Sequence, residues 1–111
     1  MKIKIEVLID EKGDSPFKNW LATIKDQKIR QRILTRLDRL ELGNFGDCKS
    51  VGKKVFELRL DFGAGYRIYF AQKDRTIVIL ILGGDKSSQK KDIQKAIILW
   101  EKYENYENNN T

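Results

Sequence analysis

The 111-residue chain has no histidine, one cysteine, one proline and one methionine, and each shortage closes off a class of chemistry. Without imidazole there is no histidine acid–base pair and no histidine-ligated metal site. Cys48 has no second cysteine to pair with, which points to a reducing compartment, and without a histidine to activate it the thiol reads as passive. The longest apolar run, Ile77 to Leu82, is six residues, far short of the roughly 20 that a membrane-spanning helix needs. No secretory pattern opens the chain, because Met1-Lys2-Ile3-Lys4 leads straight into alternating residues. The expected location is the cytoplasm, with no membrane partner. No internal repeat is evident.

What is present is an ordinary globular composition with a basic excess. The apolar fraction is 41%, the charged fraction 34%, and the formal net charge +6. This length fits one domain, and the charge favours a polyanion or an acidic protein partner. The excess is uneven: residues 50–91 hold nine Lys/Arg against four Asp/Glu, whereas residues 92–111 hold two against four.

Periodicity divides the chain into seven elements. Residues 2–9 alternate as a strand, with Ile3, Ile5 and Val7 on one side. Ser15-Pro16 is a helix start, with serine as N-cap and proline at the first helical position. Phe17, Trp20, Leu21 and Ile24 form the stripe of that short helix. A longer helix over 27–42 carries Ile29, Ile33, Leu37 and Leu40, widened by Leu34, and Gly43 stops it. Arg32, Arg36 and Arg39 share its polar side, and a solvated face is the plain reading of them. Residues 43–54 read as a loop. Three antiparallel strands follow at about 55–62, 65–73 and 76–83. The last is apolar throughout, which marks the centre of the sheet and leaves it able to pair with the first strand. A final helix over about 89–105 has Ile93, Ala96, Ile97, Trp100 and Tyr103 as its stripe and Ser88 as its cap. The polar tail, 106–111, is expected to be disordered. The expected fold is a single α+β domain of order β-α-α-β-β-β-α. Its largely antiparallel four-stranded sheet has a helical hairpin on one face and the other face free.

The alternation within two strands places the candidate chemistry. Phe56, Leu58, Leu60 and Phe62 share one face, and Glu57, Arg59 and Asp61 the other; Tyr66, Ile68 and Phe70 oppose Arg67 and Tyr69. A hairpin therefore puts Arg59, Arg67 and Tyr69 together on the non-core face, where arginines on a rigid sheet can hold a phosphodiester. The plain alternative is that both arginines simply pair with Glu57 or Asp61. Lys53 and Lys54 read equally as loop charge, and Lys86 as a solvated helix-entry residue.

Read together, several segments resemble a known family. They are Asp14-Ser15-Pro16-Phe17-Lys18-Asn19-Trp20-Leu21, the run from Arg36 to Asp47, Val55-Phe56-Glu57-Leu58-Arg59, Gly65-Tyr66-Arg67-Ile68-Tyr69-Phe70 and the run from Leu82 to Gln89. In this order and spacing they resemble the RelE/ParE superfamily of bacterial toxins, within the HigB-like, phage Gp49-like group, over residues 1–105. The resemblance implies a RelE-like fold and a toxin encoded beside an antitoxin. It further implies a ribosome-dependent messenger RNA endoribonuclease. ParE-like gyrase inhibition, or an inactive module that only binds antitoxin or RNA, are the alternatives. By position it assigns Arg59, Arg67 and Lys86 to the site and places basic residues where Lys53 and Lys54 stand. HigB-like nucleases often bring histidines to the cleft, and this chain has none.

Cleavage by such a site uses the RNA's own 2′-hydroxyl as nucleophile and leaves a 2′,3′-cyclic phosphate and a 5′-hydroxyl. Arg59 and Arg67 would clamp the phosphate, Lys86 hold it or donate a proton, and Lys54, Lys53 or Glu57 act as base. Tyr69 would stack on a base or bind phosphate. Lys49, Arg75 and Lys90 extend the basic surface for RNA. No cofactor is implied. The implied partners are a cognate antitoxin of the helix-turn-helix, HigA-like kind and messenger RNA on the ribosome. Operator DNA would be reached only through the antitoxin.

Overall fold

The computed structural model describes residues 2–109. In chain order they form β1 (Lys4–Val7), α1 (Pro16–Thr23), α2 (Gln27–Glu41), β2 (Cys48–Gly52), β3 (Val55–Arg59), β4 (Arg67–Asp74), β5 (Ile77–Gly84), a 3-10 turn (Lys86–Ser88) and α3 (Gln89–Asn109). The strands make one five-stranded sheet in the order β1-β5-β4-β3-β2. β1 runs parallel to β5, with Ile5 opposite Val78 and Val7 opposite Leu80, and the other pairs are antiparallel. β5 thus lies inside the sheet, paired on both sides, as its unbroken apolar sequence requires.

The expected four strands become five because Cys48–Gly52, read as loop, pairs with β3. Its hairpin turn is Lys53-Lys54, with φ of 52° and 70°. Both residues take the left-handed conformation that a two-residue hairpin turn demands, without the Asn-Gly signal that usually announces one. At the other end of the chain α3 continues through Asn109, into the segment expected to be disordered; the last two residues of that tail lie outside the described residues.

Local signals account for the first two helices. Ser15 Oγ accepts from Lys18 N at 3.2 Å with Pro16 following, and Asp26 Oδ1 accepts from Lys28 N at 2.9 Å and Ile29 N at 3.2 Å. Gly43, at φ 89°, ends α2. The entry to α3 differs from expectation. Asp85 caps the preceding 3-10 turn through Ser87 N, while Ser88 Oγ donates to Asp92 Oδ2 at 2.5 Å.

The sheet is covered on both faces. On one, Phe17, Ile33 and Leu40 from α1 and α2 meet Leu58, Ile68, Phe70, Val78 and Leu80. On the other, Ala96 and Trp100 of α3 meet Val55, Tyr69, Ala71, Ile79 and Ile81. Each such apolar side chain contributes roughly 1.5–3 kcal/mol on full burial. The face expected to be free is therefore a second core, because the apolar stripe of α3 needs a partner as much as α2 does. Among the described residues no helix is long and apolar enough to cross a membrane.

Candidate functional site

The register of β3 and β4 sets two cross-strand rows on the face under α3. Lys49, Glu57, Tyr69 and Leu82 form one, and Arg59, Arg67 and Gly84 the next. Two arginines directly opposite one another repel. The residue that relieves this is Glu57, two positions back on the same face. Its carboxylate is fully buried. Oε1 accepts from Arg59 Nε at 3.1 Å; Oε2 accepts from Tyr69 OH at 3.2 Å and from Gln89 Nε2 at 2.8 Å. Arg67 Nε lies 3.5 Å from Oε2, an ion pair without hydrogen-bond geometry, and Arg67 Nη1 donates to Gly65 O at 2.8 Å.

These partners fix the charge of the site. Burial pushes the Glu57 carboxyl up, but the hydrogen bonds from Gln89, Arg59 and Tyr69 and the charge of Arg67 outweigh it and hold it below its ordinary value. Burial, followed by the charge and hydrogen bond of Glu57, pushes the Tyr69 hydroxyl well above its own. Glu57 is an anion whose lone pairs are already in use, so it organises arginines and is not placed to take a proton from a substrate. Tyr69 is a buried donor with no exposed ring, which removes the base-stacking role.

Around this buried centre stands an exposed rim. The Arg59 side chain is 40% exposed, whereas that of Arg67 is 11% exposed; the expectation that both lie on an open face is corrected for Arg67, which is buried between Glu57 and Gly65. Lys86 is exposed, and its backbone N donates to Ala64 O at 3.3 Å. Gly65, at φ 74°, lies between Lys86 and Arg67, and a side chain there would meet Lys86 Cβ and Arg67 Nη1. Lys49 and Lys90 are exposed. Lys49 sits opposite Glu57 on the edge strand, and Lys90 follows Gln89 at the start of α3.

Three of the expected site residues fall elsewhere. Lys53 and Lys54 turn the β2–β3 hairpin, and Arg75 lies in the β4–β5 turn, at the end of the sheet away from Arg59 and Arg67. There Lys54 Nζ reaches Glu104 Oε2 at 3.4 Å, and Lys73 pairs with Glu107. From Lys54 to Glu57 is about 10 Å of strand, too far for Lys54 to act on a group held at the arginine row.

Gln89 is the residue that the sequence reading passed over. Its signal was there: stepping back one turn from Ile93 along the stripe of α3 lands on position 89, so a polar residue faces the sheet where an apolar one is due. Gly84 completes the fit, because a side chain there would strike the Asp92 carboxylate and Ser88 Oγ.

Residues 19–101 match the family described as phage derived protein Gp49-like (DUF891). An uncharacterised protein of Haemophilus influenzae is 48% identical over 83 residues, covering 75% of this chain and 84% of the relative. The chain belongs to the Gp49-like family. A solved structure of an E. coli toxin RelE mutant in the free state superposes with a TM-score of 0.64 at 15% identity, covering 88% of this chain and 96% of that one. The likeness is one of fold. The Gp49-like chain therefore has a RelE-like fold.

Proposed function

We propose that this Gp49-like chain is the toxin of a toxin–antitoxin pair and cleaves messenger RNA on the ribosome. The carrying observation is the buried Glu57 carboxylate, which holds Arg59 and Arg67 side by side at one end of the sheet, leaves Arg59 partly exposed, and has Lys86 across Gly65 from Arg67. A pair of like charges assembled at the cost of burying a carboxylate has no use in packing; it suits a ligand that brings negative charge.

In this reading Arg59 grips the scissile phosphate through its Nη donors, since only its Nε is taken up by Glu57. Arg67 stands behind as a fixed positive charge. As the 2′-oxygen attacks, charge builds on the equatorial phosphoryl oxygens, and both guanidiniums stabilise it. Lys86, exposed at the rim, protonates the departing 5′-oxygen or shares the phosphate. Lys49, across the strand pair from Glu57, takes the role of base or of a phosphate contact. Lys90 extends the rim toward flanking nucleotides. The site operates in the cytoplasm, and an acidic antitoxin of helix-turn-helix type neutralises the same surface; operator DNA is reached through that partner.

The test is end-mapping of a defined messenger RNA incubated with the protein, with and without programmed ribosomes. The expected result is ribosome-dependent cleavage giving 2′,3′-cyclic phosphate and 5′-hydroxyl ends. Arg59→Ala should slow it about a hundredfold, the loss for one transition-state contact of roughly 3 kcal/mol. Growth arrest that survives Arg59→Ala together with Lys86→Ala would overturn the proposal and point to a target other than RNA.

A further inference from the structure

A second basic feature lies outside the Glu57 cluster. A cleft of about 680 Å³ runs between α2 and the segment that follows β3. One bank carries Lys28, Arg32, Arg36 and Arg39; the other runs from Arg59 through Asp61 to Phe62. The α2 cations recur at spacings of four, four and three, so they line one face of the helix for about 16 Å. They are separate from the stripe of Ile29, Ile33, Leu37 and Leu40 that packs on the sheet.

Apart from Arg36, which donates to Phe45 O, nothing in the fold requires this row. Like charges four apart on a helix destabilise it by about 0.2–0.5 kcal/mol a pair. None of the ion pairs among the described residues involves Lys28, Arg32, Arg36 or Arg39. The side chains are nevertheless held in place. Arg32 stacks its guanidinium over the Phe62 ring, 4.1 Å from the centroid. Arg36 Nη2 donates to Phe45 O at 2.7 Å and lies against Gly46, which has φ 61° and leaves no room for a side chain. Burial and the neighbouring Arg39 push Arg36 below its ordinary pKa and outweigh the opposing charge of Asp47. Pre-positioned cations that outnumber Asp47 and Asp61 in a groove that reaches Arg59 describe a track for a phosphate backbone, with an aromatic–guanidinium plane on which a base can stack.

We propose that this groove binds single-stranded RNA, carrying the stretch of chain next to the phosphate held at Arg59. The choice of RNA rests on the nuclease reading above; the groove itself rests on its own geometry.

Salt-dependent binding separates the two. The probe is a short single-stranded RNA with 2′-O-methyl groups throughout, which binds without being cut. The variant is Lys28→Gln with Arg32→Gln and Arg39→Gln, leaving Arg36 in place because it supports the Phe45 loop. Each lost contact to a single strand lowers the slope of log affinity against log salt by about 0.7. The slope should fall by about two, with affinity down ten- to thirtyfold at low salt. Lysine at Arg32 and Arg39 should retain the slope. The triple variant should be no less stable to heat, because it relieves repulsion. Neutralising Lys18, Lys95 and Lys102, outside the groove, should lower the slope less. An unchanged slope in the triple variant overturns the proposal. So does unchanged RNA binding combined with loss of antitoxin binding, which would make the groove a protein interface. Loss of cleavage in Arg59→Ala with the slope lowered by no more than the about 0.7 of that one contact leaves the groove standing. Groove binding in a protein that never cuts RNA would sink the nuclease reading alone.

Discussion

Replacing Glu57 by glutamine removes one charge and almost no volume, so it asks whether a buried carboxylate holds the arginine row. In the native protein Oε1 serves Arg59, and Oε2 serves Tyr69 and Gln89. An amide offers only one oxygen. If that oxygen takes the Oε2 place, the amide NH2 meets Arg59 Nε, donor against donor. If it takes the Oε1 place, the NH2 faces both Tyr69 and Gln89. In either orientation Arg67, mostly buried, loses its counter-charge. Breaking a buried pair from one side costs about 3–5 kcal/mol, while the Arg59 pair, with its side chain 40% exposed, counts for less than about 1 kcal/mol once solvent screening is allowed for. The expected loss is about 3–4 kcal/mol at neutral pH, or roughly 10–20 °C in Tm. Urea unfolding followed by circular dichroism across pH is the assay. Burial raises the folded carboxyl's pKa, but its donors and Arg67 bring it below the ordinary 4.5. The stabilisation is therefore fully present above pH 4.5 and is lost as pH falls through the lower folded value. Native protein and variant should differ most at neutral pH and converge in acid. Adding Arg67→Met should recover part of the loss, because both buried charges then go together. A difference below about 1 kcal/mol at neutral pH, or one that persists undiminished in acid, would refute the reasoning.

Gln89→Leu should cost about 1–3 kcal/mol, since it strips a donor from a buried anion, and should raise the Glu57 pKa toward its ordinary value, read as a shift of acid unfolding to higher pH. Tyr69→Phe should cost about 1–2 kcal/mol for the same reason yet leave RNA affinity within a few-fold; a large loss of affinity would restore a phosphate contact for the hydroxyl that its bond to Glu57 takes up. Gly83→Ala should destabilise by about 1–3 kcal/mol, because a methyl there drives into the Trp20 ring; an unchanged thermal midpoint would show that α1 shifts freely on the sheet. Lys53→Asn with Lys54→Gly should raise stability by about 1 kcal/mol, since both positions have positive φ. That variant should also leave cleavage within threefold, and a larger drop would extend the site to the far end of the sheet.

What could be read from the chain, and what could not, follows from how each feature is encoded. Period-based features came through, because a helix or strand writes its buried face into the spacing of its own residues. The stripes of α2 and α3, the Ser15-Pro16 start and the interior position of β5 are of this kind. β2 did not come through, because Cys48–Gly52 is a half-exposed edge strand whose turn lacks glycine and asparagine. The candidate site was legible as a face and misread as a surface. Alternation alone correctly put Glu57, Arg59, Arg67 and Tyr69 together, but it says nothing of what lies above them. The missing step was an accounting one. β5 is apolar on both faces and α3 has an apolar stripe, so the second face of the sheet had to be covered, and the polar residues of that face had to find partners beneath α3. Glu57 is then forced into the role it plays, because a carboxylate under a helix must be paired and the nearest cations are the two arginines. The same accounting explains why Gln89 interrupts the stripe of α3: with Tyr69 it donates to the one oxygen that Arg59 leaves unserved. A polar residue breaking an apolar period is therefore the mark to look for in related chains, where it should change together with the residue at position 57.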